Sequence, residues 1–96
     1  MGKTVVWSPS ARKDLKSIVS YIAADNPVAA LEVGREIIES SKQIELFMES
    51  ARMVPEFRDE SIRERIVGAY RVIFRFKDEQ IEVVRVWHAA RGRPRI

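Results

Sequence analysis

The apolar period changes from 3.6 to 2 near residue 50, and this change constrains the fold more than any other feature. In the first half, Ala11, Leu15, Ile18 and Ile22 fall at i, i+4, i+7 and i+11 and make one helical stripe. Ser8 is an N-cap and Pro9 fits the first helical position, so a helix opens there. It should stop near Ala24, before the Asp25-Asn26-Pro27 breaker. Asn26-Pro27 repeats the signal and starts a second helix. Its stripe is Ala30, Val33, Ile37, Ser41, Ile44 and Met48, widened by Leu31, Ile38 and Phe47. Gly34 inside that helix costs about 1 kcal/mol against Ala, and close approach of the first helix would compensate. The pair then forms an antiparallel helical hairpin.

Before the hairpin, residues 3–7 (KTVVW) read as a short strand. After it, residues 50–61 carry a proline, mixed charge and no period, and read as a loop. Residues 62–67 (IRERIV), 71–76 (RVIFRF) and 81–87 (IEVVRVW) follow as three strands. The expectation is an α+β fold of order β-α-α-β-β-β: an N-terminal strand, an antiparallel helical hairpin, then three antiparallel strands with the helices on one sheet face. The tail HAARGRPRI reads as irregular, ordering only with a partner.

Loop length decides which side chains share a face. A two-residue turn at Gly68-Ala69 pairs Val67 with Tyr70 and sets Arg63 and Arg65 beside Val72 and Phe74. A three-residue loop, 68–70, pairs Val67 with Arg71 and segregates charge from apolar residues. On that criterion the second register is expected, with a bulge at Tyr70. Ile62, Ile66, Val72, Phe74 and Phe76 then face the helices. Arg63, Arg65, Arg71, Ile73 and Arg75 face away. A four-residue loop at 77–80 pairs Phe76 with Ile81 and Phe74 with Val83, and brings Glu82, Val84, Val86 and His88 to the arginine side.

That face is a candidate anion site, comprising Arg63, Arg65, Arg71, Arg75, His88 and Arg91. A solvated face, with Glu64 and Glu82 neutralising some arginines, fits the same pattern. Charge placement sharpens the question. Residues 1–50 carry six Lys/Arg against seven Asp/Glu; residues 51–96 carry eleven against seven, ten of them Arg. Arg presents a planar fork that matches phosphate and carboxylate. A lone histidine at a strand end reads as a hydrogen-bonded structural residue or as an acid/base group.

Other chemistries find no support. The chain has 96 residues, one histidine and no cysteine, so one domain spanning 1–96 is expected, without disulfides, a zinc site or any other metal or cofactor. There is no Gly-rich phosphate loop, HExxH pattern or nucleophile motif. No run of 18 apolar residues exists and no signal peptide is read, so a cytoplasmic protein without membrane contact is expected.

Four segments in this order, ARKDLKSIVSYIAADNPVAA, RMVPEF, IRERIVGAYRVIFRF and IEVVRVWHAAR, resemble the RelE/ParE superfamily of type II toxins over nearly the whole chain. The resemblance implies a toxin silenced by a cognate antitoxin, whose flexible C-terminal segment wraps it in a hetero-oligomer. It implies antitoxin contacts at Leu15, Ile18, Ile22, Val33, Ile37, Arg71 and Arg75. It leaves two activities. ParE-like members poison DNA gyrase and are not enzymes; the long hairpin and the YIA..NP.AA pattern favour this branch. RelE-like members cut mRNA on the ribosome, and the matching catalytic set here is Arg63, Arg65, Arg71, His88 and Arg91. The segment after Arg91, GRPRI, lacks the Tyr and the helix of many such nucleases.

Overall fold

The structure, a computed structural model, describes residues 3–46 and 48–96. Phe47, placed by its spacing on the second helix's stripe, lies outside the described residues. The chain runs β1 (Thr4–Trp7), α1 (Pro9–Ala23), α2 (Pro27–Gln43), β2 (Arg52–Met53), β3 (Ile62–Val67), β4 (Tyr70–Phe76) and β5 (Gln80–His88), with 3-10 turns at Met48–Ser50 and Ala89–Arg91.

Both helices start where the caps place them. The Ser8 hydroxyl accepts from the Ala11 N–H at 3.0 Å and the Asn26 side-chain oxygen accepts from the Ala29 N–H at 3.1 Å. A Cβ at Gly34 would sit 3.2 Å from Val19 Cγ2, so the helices approach more closely here than a side chain comfortably allows.

The sheet has five strands in the order β1-β5-β4-β3-β2, with β1 parallel to β5 and the rest antiparallel. The helices pack on one face over Val72, Phe74, Ile81, Val83 and Val86, with Ala11, Ile37 and Ile44 as their buried contributions. Residues 50–61, read as a loop, supply the edge strand β2, too short for a period-2 pattern to register.

The register of β4 against β5 is the expected one at the turn: Phe76 opposes Ile81 and Phe74 opposes Val83. A bulge between Ile73 and Phe74 then shifts the pairing, so Val72 opposes Val86 and Tyr70 opposes His88, which turns Val86 and His88 to the helix side instead of the expected arginine side.

The register of β3 against β4 corrects the expectation. Val67 pairs with Tyr70 across a two-residue Gly68-Ala69 turn, and Gly68 adopts φ +57°, as the first position of a type II′ turn demands. Arg65 opposes Val72, and Arg63 opposes Phe74. Segregating arginine from apolar residues was the wrong criterion because it ignored Glu64, which shares a face with Ile62 and Ile66. The longer loop would have driven Glu64 onto the helix side opposite Phe74, where a carboxylate needs a cation. In the observed register Glu64 is fully buried on the opposite face and diagonal to Arg71.

Candidate functional site

Two faces divide the arginines that sequence grouped. Arg63 and Arg65 stand on the helix side of β3, near its margin, where long side chains reach out past the cover. Arg63 Nε donates to the Glu60 carbonyl at 2.7 Å. Arg65 is half-buried, and its Nη1 finds no hydrogen-bond partner among the described residues. Arg71 and Arg75 stand on the other side of the sheet. The gathered arginine face is therefore not formed.

The second face is itself a small core. Val54, Ile62, Ile73, Val84 and Trp87 bury one another there, with Phe57 packed against them. Arg71 lies within this layer, its side chain 9% exposed. Its Nε donates to Glu64, and its Nη1 and Nη2 donate to the two Glu56 oxygens at 2.9 and 2.7 Å. Arg52 donates to the second Glu64 oxygen at 2.7 Å. Hydrogen bonding from Arg71 lowers the Glu56 carboxyl from its usual 4.5 to about 2, against the opposing effect of burial. The same bond raises the Arg71 guanidinium above its ordinary value. Arg71 is thus the centre of a structural network rather than a free cation. Arg75 is half-buried and lies 3.7 Å from Glu82.

The C-terminal tail is irregular past Arg91, as expected, but it packs without a partner and completes this cover. Pro94 is fully buried. Arg93 donates to the Glu56 carbonyl at 2.9 Å and stacks on Phe57, and the Trp87 Nε1–H donates to the Gly92 carbonyl at 3.2 Å. The Arg91 guanidinium sits 4.6 Å from the Trp87 ring centroid.

His88 and Arg91 do come together, in a cleft of about 440 Å³ that sequence reasoning did not foresee. Strand β1 ends at Trp7 opposite Val83, so the far end of β5 has no strand beside it there. Helix α1 takes over that edge. The Ser8 hydroxyl donates to the Val84 carbonyl, and Asp14 accepts from the Val86 N–H at 3.0 Å. Arg85 holds both Asp14 oxygens, at 2.7 and 2.9 Å. Hydrogen bonding to Asp14 raises the Arg85 guanidinium above its usual value. Ser10, Lys13 and Ser17 of α1 line the cleft opposite His88 and Arg91. His88 packs edge-on against Tyr70, with ring centroids 5.3 Å apart, and its Nδ1 accepts from the Ala90 N–H at 3.1 Å. The signals for this cleft were present as a run of small and basic residues at 10, 13 and 17. Only the early end of β1 turns them toward His88.

The residues expected to meet a partner on the helices are the ones that face the sheet. Ile37 is fully buried, so it offers no surface. Leu15, Ile18 and Val33 pack against the core and Ile22 is half-buried. A single apolar stripe is used up by the sheet. Beside it a groove of about 360 Å³ between the helices is lined by Leu15, Val19, Ala30, Leu31, Gly34 and Ile38. Leu31 is 67% exposed and Ile38 38%.

A sequence profile described as ParE toxin of type II toxin-antitoxin system, parDE, matches residues 5–92. No curated protein matches the chain at a significant level. Among solved structures, the chain is similar to one of the chromosomal ParDE TA system from P. aeruginosa, with 20% identity, coverage of 90% of this chain and 95% of that one, and a TM-score of 0.75. It is also similar to the RelBE2 toxin-antitoxin complex from Mycobacterium tuberculosis, with 23% identity, 92% and 99% coverage and a TM-score of 0.56. The YoeB dimer from Staphylococcus aureus shares 16% identity over 92% of this chain and 98% of that one, with a TM-score of 0.64. At these identities the likeness concerns the fold. No helix among the described residues is long and apolar enough to cross a membrane.

Proposed function

Since the chain belongs to the ParE toxin family of type II toxin-antitoxin systems, we propose that it inhibits growth by poisoning DNA gyrase and that a cognate antitoxin neutralises it. The observation that carries the choice of target is the family match over residues 5–92. The dispersal of the nuclease set supports it. A ribosome-dependent RNase needs cations gathered on the scissile phosphate. Here Arg71 is closed by two carboxylates, and Arg63 and Arg65 stand on the opposite side of the sheet. The alternative, mRNA cleavage, is favoured by one observation: His88 and Arg91 share an open cleft.

Purified protein tested side by side on gyrase supercoiling and on programmed ribosomes separates the two. Inhibited supercoiling with intact mRNA is expected. Cleaved mRNA that His88→Ala protects, with supercoiling unaffected, would reverse the assignment.

The antitoxin reading places an apolar stripe of the partner in the groove between α1 and α2. Full burial of an exposed Leu or Ile contributes about 1.5–3 kcal/mol, so Leu31, 67% exposed, would supply most of that range and Ile38, 38% exposed, less than half of it. Leu31→Asp with Ile38→Asp should therefore abolish neutralisation in co-expression while leaving toxicity intact. Full neutralisation of this variant would move the antitoxin elsewhere.

A further inference from the structure

We infer that the cleft between α1 and the end of β5 is a phosphate-binding site, taking a phosphate group borne on a nucleotide or a nucleic-acid strand. The inference does not depend on gyrase being the target. It shares His88 and Arg91 with the anion surface expected from sequence but lies on a different part of the molecule, against α1.

The polar groups of the cleft decide the sign of its ligand. Its one carboxylate, Asp14, is closed on both oxygens by Arg85 and also accepts the Val86 N–H. What remains is a set of donors. Lys13 is exposed, and Ser10 and Ser17 flank it on the same helix. Arg91 is exposed, and its stacking on Trp87 uses the guanidinium face rather than its N–H edge. His88 belongs with the donors. Its Nδ1 accepts the Ala90 N–H, so that nitrogen carries the lone pair and the neutral ring bears its proton on Nε2. The same tautomer disfavours His88 as a general base through Nε2. A cleft offering two fixed cations and three neutral donors, with its carboxylate neutralised internally, selects an anion. A phosphate has oxygens enough for donors arriving from both walls, which a planar carboxylate has not. The volume of about 440 Å³ exceeds what a bare phosphate fills and leaves room for the rest of a nucleotide.

The test is calorimetric titration of the full chain at low ionic strength with inorganic phosphate, ATP, a short single-stranded oligonucleotide and a polyglutamate peptide. Saturable binding of a phosphate compound is expected, weakened by added salt. Lys13→Gln and Arg91→Gln should each weaken it about tenfold, as loss of one charge-assisted contact implies. Lys42→Gln, on α2 beside Glu39, should leave it unchanged. ATP or the oligonucleotide should bind more tightly than inorganic phosphate; equal affinity would overturn the nucleotide as carrier. Arg91 touches the tail, so its variant is checked by thermal melting; exposed Lys13 carries the test if that variant unfolds. Absence of saturable binding, binding indifferent to Lys13→Gln, or polyglutamate binding as tightly as the phosphates would each overturn the inference. None of these results bears on the supercoiling assay, so the two readings fail separately.

Discussion

Replacing Arg71 by Met tests whether this residue holds the fold or meets a target. Met keeps most of the aliphatic bulk and removes the guanidinium. Glu64, whose side chain is 0% exposed, then keeps only Arg52, itself 62% exposed and held by a single Nε contact at 2.7 Å. Glu56 also loses its pair, but at 27% exposure it can turn to water. The cost is therefore set by one half-compensated buried carboxylate. Removing one partner of a buried pair costs about 3–5 kcal/mol. The remaining Arg52 contact argues for the lower end, about 3 kcal/mol. For a domain of this size that lowers Tm by roughly 12–24 °C. Urea unfolding followed by circular dichroism should show the midpoint falling with an unchanged slope. Adding Glu64→Gln to Arg71→Met removes the stranded charge and should recover more than half of the loss. If Arg71→Met instead melts within about 2 °C of the unaltered protein, and yet loses inhibition of its target, the network is incidental and Arg71 belongs to a binding surface.

One further outcome rests on the same network and another on the contact between the helices. Glu56 has its pKa depressed by Arg71, so it contributes stability that is present above about pH 4.5 and is lost as pH falls toward about 2; Glu56→Gln should flatten acid unfolding across that window, and an unaltered acid transition would show that the pair does not couple to folding. Gly34→Ala gains about 1 kcal/mol of helix propensity while pressing a methyl against Val19 at 3.2 Å, so the melting temperature should barely move, whereas Gly34→Leu should cost about 1–3 kcal/mol by forcing the helices apart.

The elements most legible in the sequence are those set by neighbours along the chain. Ser8-Pro9 and Asn26-Pro27 fix both helix starts because a cap bonds an N–H three residues on. Gly34 reports a close approach because a small residue in a helix has few other reasons to persist. The Phe76–Ile81 pairing follows from a four-residue turn. The candidate site was far less legible. Glu64 and Arg71 are seven residues apart, and each looks like a solvated charge until the two-residue turn sets them diagonal and residues 54–57 close over them. The helical stripe announces an apolar face without saying that the sheet, rather than a partner, takes it.

By itself, then, the sequence determined the order of elements, the helical hairpin and the likeness to a toxin superfamily, because caps, turns and hydrophobic period act over a few residues. Tertiary structure alone decided which arginines are free. A buried carboxylate has to find its cation wherever the fold brings one, and that requirement turned β3 over and drew Arg71 inward, while Lys13 and Arg91 stand as the cations around an open cleft.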